Sequence, residues 1–407
     1  MNLALELNKC LSQNFVSALT IISDCAEDFC TKVFIVGGVV RDLLLKKDIY
    51  DIDIVVEGNA IEFCKYMQSR GMCTVTRISD EFGTAKVQFK QISDLSLDFA
   101  STRIESYPRA GHLPIVNKIG CLLEEDIIRR DFTVNALALS VNKLNFGELI
   151  DFTGGVEDIQ KKELKILHDK SFIDDPTRII RGLRFAHKLG FKLETQTKSF
   201  QQEYLSNFIN NDICYERIKQ VVKLAFTLNS AELYNEFISA NVYKLLCNTP
   251  IHKDGYSVRN AIEKNIKYID KENIWLVYLA CCVSLQDCLK LNLTSKEMAI
   301  VSHLEQLLNN KIPDESNYSV YKFFKNISKE AIVAYLAITK NYLAQKYLDE
   351  LMNIKIFVNG GDLIQLGYLK GRAIGEALEK ILEEKINGKI KTKEDELKLA
   401  KKIMFEF

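Results

Sequence analysis

The 407-residue chain is poor in several things that usually betray function, with only five histidines, five prolines and one tryptophan. It has no excess of either charge, since Lys plus Arg and Asp plus Glu both number 54. Binding to a polyanion therefore cannot rest on bulk charge and needs a local basic surface. Eleven cysteines stand alone or as the pair Cys281-Cys282, with no C-x-x-C and no His grouping at ligand spacing. That argues against zinc sites and a disulfide framework and favours a reducing, cytoplasmic setting. Nowhere do 18 uncharged apolar residues run together, and Glu6 and Lys9 interrupt the N-terminal amphipathic stretch, so neither a membrane span nor a signal peptide is expected.

What the chain does have is length and apolar content. With 47% hydrophobic residues it can bury two to four cores. From Met1 to about Ile150, helical periods mix with β-rich runs at Lys32 to Val36, Asp51 to Val56, Lys86 to Phe89 and Leu95 to Ala100. From about Asp158 onward the period is almost wholly helical. Turn residues interrupt it near Asn229 to Ala231, Pro313 to Asn317 and Asn359-Gly360-Gly361. The expectation is an α+β head followed by a long all-α arm.

Two short segments in the head carry chemistry. Ile35-Val36-Gly37-Gly38-Val39-Val40-Arg41-Asp42 reads as a strand entering a Gly-Gly turn and then a helix. Glycines there let backbone N–H groups approach phosphate oxygens, and Arg41 adds a charged fork. Asp51-Ile52-Asp53-Ile54-Val55-Val56 follows. On a strand Asp51 and Asp53 share one face, about 7 Å apart at Cα, while Ile52 and Ile54 point into the core. Two such carboxylates repel unless cations lie between them, and Mg²⁺ takes one or two carboxylates plus phosphate oxygens. Asp98, on another expected strand, is either a third carboxylate or an ordinary polar strand-face residue. A Gly-Gly turn alone, or a D-x-D alone, is commonly no more than a tight turn or an exposed strand edge.

Together with Arg129-Arg130-Asp131-Phe132-Thr133-Val134-Asn135-Ala136, Asp151-Phe152-Thr153-Gly154-Gly155 and Asp174-Asp175-Pro176-Thr177-Arg178-Ile179-Ile180-Arg181-Gly182-Leu183-Arg184-Phe185, these segments form four blocks over roughly residues 30 to 225. Their order and spacing resemble the class II tRNA nucleotidyltransferase and bacterial poly(A) polymerase family, within the DNA polymerase β superfamily. The resemblance implies a polymerase-β-like head with a small mixed sheet at 1–150, then a nucleotide-recognising helical neck at 151–227, a helical body at 228–330 and a tRNA-binding tail at 331–407. It implies Gly37, Gly38 and Arg41 at the triphosphate, Asp51 and Asp53 as catalytic ligands of Mg²⁺, Arg130 at the nucleotide sugar or phosphate, and Asn135 in support. Arg129 and Arg130 read otherwise as an exposed basic pair opening a helix, where cations are unfavourable without an anionic ligand.

Base choice can be reasoned from the residues. Thr177 to Leu189 reads as a helix started by Pro176, with Arg178, Arg181 and Arg184 at every third position and Ile179, Ile180, Leu183 and Ala186 left for burial. An Arg row usually marks a solvated face. Asp175 beside it adds one acceptor to a fork of donors. Cytosine and adenine each present an exocyclic amine and a ring-nitrogen acceptor, whereas uracil and guanine present the reverse. One Asp and one Arg thus suit either wanted base, and leaving them unpaired penalises the others. The resemblance makes Asp175 and Arg178 the protein template. The alternative is an intrahelical ion pair between them.

Two departures from the family pattern occur: Asp174-Asp175 where Glu-Asp is usual, and Cys214-Tyr215-Glu216-Arg217-Ile218 where Ser-x-Glu-Arg-Ile is usual. Thr102 to His112 reads as a loop bracketed by Pro108 and Gly111, at the position the family uses when switching from C to A. A metal-dependent HD phosphohydrolase, carried by some relatives, is not expected, because His168-Asp169 is the sole His-Asp pair. Asp362 to Gly367 and Gly371 to Gly375 resemble the family's tRNA-gripping tail, and 370 to 393 is the expected basic patch. The activity so implied is addition of CCA to the tRNA 3′ end from CTP and ATP. Alternatives are A-adding, CC-adding or poly(A)-polymerising relatives, a decayed RNA-binding module, and a small-molecule nucleotidyltransferase, the last needing no template pair or helical arm.

Overall fold

A computed structural model of the chain describes residues 1–404 except 90, 91, 93, 94, 110, 209–212 and 370. Two compact units form, Met1–Val221 with Ala240–Leu245, and Val222–Ser239 with Leu246–Phe407.

The first unit is built on a seven-stranded sheet. Its strands are β1 (Lys32–Val36), β2 (Asp53–Glu57), β3 (Cys73–Ser79), β4 (Thr84–Phe89) and β5 (Ser96–Ser101), while β6 (Arg103–Ser106) and β7 (Ile115–Ile119) form a separate hairpin. Strands β8 (Leu137–Ser140) and β9 (Leu149–Asp151) complete the sheet in the order β3-β4-β5-β2-β1-β8-β9. Only β2 and β5 run parallel, so the sheet is mixed. Val33, Ile35, Ile54, Val56, Leu97 and Phe99 are essentially inaccessible, as strands packed under helices require.

The run expected as a strand from Asp51 starts instead at Asp53. In β1, Ile35 is opposite Ile54, and the chain turns into a helix after Val36, so nothing on that side continues the ladder for residues 51 and 52. Asp51 instead accepts the N–H of Ile52 (2.9 Å). The alternation survives nonetheless: Asp51 and Asp53 are exposed, Ile52 and Ile54 buried.

The second unit is helical. Every residue of helix Ile274–Cys282 is buried, and each of the three expected interruptions runs into the first residues of a helix, with Asn359 capping helix Gly360–Gln365. At its C-terminal end Val358, Leu363, Tyr368, Ala377, Ile381, Ala400 and Ile403 share a small core. Within that core, Glu396 is fully buried and accepts the N–H groups of Phe357 (2.7 Å) and Val358 (2.9 Å) and the Lys385 ammonium (2.6 Å). A buried carboxylate is tolerable only with such complete pairing. Lys370, the first residue of the expected basic patch, lies outside the described residues. Among the described residues no helix is long and apolar enough to cross a membrane.

Candidate active site

Gly37 ends β1 with φ +78, a conformation side chains resist, and helix Gly38–Leu44 begins directly after it. The Gly37 N–H is engaged with the Leu137 carbonyl (3.0 Å), so, contrary to expectation, it is not free for a phosphate. What the two glycines provide is room. An ideal Cβ on Gly37 would lie 3.4 Å from Arg130 Nη1, and one on Gly38 3.3 Å from Arg41 Nη2. Arg41, 4% exposed, donates to the Asp42 carboxylate (2.8 and 2.9 Å) and to the Asn135 amide oxygen. Asn135 in turn donates to Asp131 (3.0 Å).

The Arg-Arg-Asp block departs from its expected setting. Helix Leu123–Ile128 ends at Arg129, so the two arginines close a helix rather than open one, and a cation there is favourable without a ligand. Asp126, fully buried, binds Arg129 (2.8 Å) and Arg130 (3.1 Å), and Arg129 also reaches Glu105 (3.3 Å). Burial alone would raise the Asp126 carboxyl, but the two guanidiniums hold it below its ordinary value. Arg130 Nε remains buried with no partner among the described residues. A buried unsatisfied donor calls for a ligand, so the anion argument survives on this ground. Asp131 is likewise held low despite burial, by Arg181 (2.9 Å), Asn135 and the Phe132 N–H.

The arginine helix spans Thr177–Leu189 after Pro176, and Ile179, Ile180, Leu183 and Ala186 are buried as expected. Its arginine row is not a solvated face. Arg178 is 3% exposed and donates to Ser171 Oγ (2.6 Å), the Arg129 carbonyl (2.8 Å) and Tyr107 Oη (3.3 Å). Asp175, 6% exposed, accepts Thr177 N–H (3.1 Å) and Oγ1–H (2.6 Å) on one oxygen and Arg217 (2.6 Å) on the other. The alternative of an Asp175–Arg178 ion pair is therefore not what forms. Arg184 stacks on the Phe185 ring at 4.4 Å, its Nε buried without a partner, and burial followed by repulsion from Arg181 lowers its pKa.

Gly37, Gly38, Arg41, Asp53, Arg130, Asn135, Asp175, Arg178 and Arg181 line one cavity of about 500 Å³, joined by Arg129, Asp131 and Arg217. Six arginines face three aspartates there, which suits a polyanion. Asp51 and Arg184 do not line it. Asp53 sits beside Asp98 in the parallel β2–β5 pair. Burial, then the charge of Asp51, raise its carboxyl, with Arg130 opposing. Crowded carboxylates of this kind fit a divalent cation, which would relieve the repulsion. Asp98 is tied to Lys86 (3.3 Å), and among the described residues no group of three His, Cys, Asp or Glu is placed to hold a metal alone. A magnesium ion would thus need substrate oxygens beside Asp51 and Asp53.

Several contributors escaped the sequence reading. Of the expected loop 102–112, residues 103–106 form the hairpin strand β6 and the rest that is described is non-strand, beginning with Tyr107, which stacks on Arg178 at 5.7 Å; Ala110 lies outside the described residues. Arg217, noted only as part of the Cys214–Ile218 block, binds Asp175 and also donates to the carbonyls of Gly111 (3.2 Å) and His112 (2.8 Å). Nothing in the sequence marks Asp126 as the partner of Arg129 and Arg130, or Glu105 as a further partner of Arg129.

Residues 33–165 match the Poly A polymerase head domain family. An A-adding tRNA nucleotidyltransferase of Aquifex aeolicus is 34% identical over 88% of this chain, and one of Geobacter sulfurreducens 30% over 97%. The chain spans about half the length of these two relatives, 45% and 48%. Other relatives are named CC-adding and CCA-adding. Among solved structures, the apo form II of a CCA-adding enzyme superposes with a TM-score of 0.83 at 26% identity, covering 100% of this chain and 99% of that one. The Thermotoga maritima CCA-adding enzyme complexed with tRNA gives 0.76 at 27%, covering 99% of each.

Proposed function

The chain belongs to the class II tRNA nucleotidyltransferase and poly(A) polymerase family, and on that premise we propose that it adds nucleotides to the 3′ end of tRNA without a nucleic-acid template, taking both CTP and ATP to build CCA. The observation that carries this reading is that Asp175 and Arg178, both buried, line one arginine-rich cavity with Asp53. Arg41 and Arg130 hold the triphosphate, Asp175 accepts from the exocyclic amine of the base, and Arg178 donates to its ring nitrogen. The acceptor hydroxyl oxygen bonds to the α-phosphorus, the bond to pyrophosphate breaks, and the hydroxyl proton leaves to solvent. Mg²⁺ bound by Asp51 and Asp53 would supply charge neutralisation for that displacement. Arg181 and Asn135 act through Asp131 and Arg41, keeping both in place.

The helical neck, body and tail divided near 150, 227 and 330 serve, in this reading, to recognise the nucleotide and grip tRNA, and the cysteine pattern fits a cytoplasmic setting. Addition of the terminal A alone is the second reading, favoured because the two relatives at 34% and 30% identity, matching over 88% and 97% of this chain, are named A-adding. Incubating the protein with Mg²⁺, CTP and ATP and tRNAs truncated before the first C, the second C or the terminal A, then sequencing the products, separates them. Extension only of the last substrate selects the A-adding reading, and extension of none overturns both.

A further inference from the structure

Transfer between two substrates requires two seats that meet at the reacting carboxylates. A second cavity of about 570 Å³ shares Gly38 and Asp53 with the nucleotide cavity and adds Asp51. Its character differs. The cations lining it are lysines, Lys46 and Lys47 after helix Gly38–Leu44 and Lys188 from the arginine helix. All three are exposed, and none is in a salt bridge among the described residues, whereas the arginines opposite are locked by aspartates. Tyr50 also lines it and is 85% exposed, its hydroxyl 3.3 Å from the Asp48 carboxylate. The connection that carries these residues is anchored rather than loose. Lys46 takes φ +54 and the Lys47 N–H donates to the Asp42 carbonyl (2.9 Å), which closes the helix end in a Schellman-type turn.

A planar fork suits a phosphate held in one geometry, while a flexible ammonium follows a polyanion that must shift after each addition. An exposed aromatic ring among unpaired cations is the arrangement that holds single-stranded nucleic acid, one stacking on a base and the others neutralising the backbone. We propose that Lys46, Lys47, Tyr50 and Lys188 seat the 3′-terminal nucleotides of the RNA acceptor, Tyr50 stacking on a base and the lysines contacting phosphates, so that the terminal hydroxyl reaches Asp51 and Asp53. This assignment rests on the nucleotidyltransferase reading above.

The test compares wild type, Tyr50→Ala, Tyr50→Trp and the double variant Lys46→Ala/Lys47→Ala as full chains. Extension kinetics on truncated tRNA are measured together with titration of a fluorescent single-stranded hexanucleotide ending in CC. Tyr50→Ala is expected to raise the KM for RNA and the Kd for the hexanucleotide about tenfold with the KM for nucleotide unchanged, and Tyr50→Trp to restore both. The lysine variant is expected to reduce the slope of log affinity against log salt by about 1.4, roughly 0.7 for each lost single-strand contact. Unchanged RNA KM, Kd and salt slope in variants that still transfer nucleotide overturn the proposal. If wild type extends no RNA at all, the underlying reading has failed, and the hexanucleotide titration still decides the groove: weaker binding by Tyr50→Ala supports it, and equal binding overturns it.

Discussion

Replacing Asp175 by Asn probes base selection with the least disturbance of shape. The amide keeps one oxygen for Thr177 N–H (3.1 Å) and Oγ1–H (2.6 Å) and substitutes an NH₂ for the oxygen that Arg217 contacts at 2.6 Å. Two effects follow from the same atom. Arg217 loses a charge-assisted bond and faces a donor, but its 22% exposed side chain keeps water and the Gly111 and His112 carbonyls. The stability cost is therefore about 2 kcal/mol, below the 3 to 5 kcal/mol of a fully buried broken pair. The incoming base, meanwhile, meets a donor where it met an acceptor. An exocyclic amine is no longer satisfied there, and the carbonyl of uracil or guanine is. A hydrogen bond to a charged group is worth about 1.5 to 3 kcal/mol, so preference for CTP over UTP should fall by roughly one to two orders of magnitude. Labelled CTP and UTP competing for a truncated tRNA measure the preference, and a melting curve on the same preparation measures stability. A lowered melting temperature with CTP preference intact would mean that Asp175 only braces Arg217, and the template reading would be wrong.

Asp53→Asn should abolish nucleotide addition yet make the metal-free protein more stable at neutral pH. The Asp53 carboxyl is raised by burial and by Asp51, so its ionisation disfavours the folded state as pH rises above the ordinary aspartate value, and that cost is complete above the raised one. Urea unfolding of both proteins in EDTA from pH 4 to 7 checks the sign, and a less stable Asn variant at pH 7 contradicts it. Gly155→Ala would place a Cβ 2.3 Å from the Thr133 carbonyl oxygen, a backbone atom that cannot swing aside; a loss of about 3 kcal/mol by thermal unfolding is expected. Glu396→Gln leaves the largely covered Lys385 without its charge partner and should cost the C-terminal core about 3 kcal/mol. Hydrogen exchange should then show helix Lys393–Met404 opening while amides of β1 and β2 stay protected.

How far the sequence could be read depended on the range of the interactions involved. Strand β1 and the arginine helix were legible because alternation, Pro176 and the spacing of Ile179, Ile180 and Leu183 are local signals. The placement of Arg129 and Arg130 was misread although a cue was present: Glu124, Glu125 and Asp126 crowd the first turn of helix Leu123–Ile128, marking the start of the helix that the arginines end. Strand β6 was hidden by its composition, since Arg103 and Glu105 pair with each other (2.6 Å) instead of showing an apolar alternation. The bond from Arg217 to Asp175 spans 42 residues, and no periodicity encodes a contact of that range.

The double engagement of Arg217 ties two events that lie apart in the chain. One guanidinium grips the Asp175 carboxylate and the Gly111 and His112 carbonyls of the β6–β7 connection, so under the proposed base-recognising role of Asp175 a displacement of that connection alters the free energy with which it accepts a base. Thermodynamic linkage makes the relation reciprocal: whichever base binds at Asp175 must bias the connection by the same amount. An RNA that presses on the hairpin would therefore change nucleotide preference without touching the nucleotide, and a bound CTP or ATP would be felt by the RNA as a change in its own affinity.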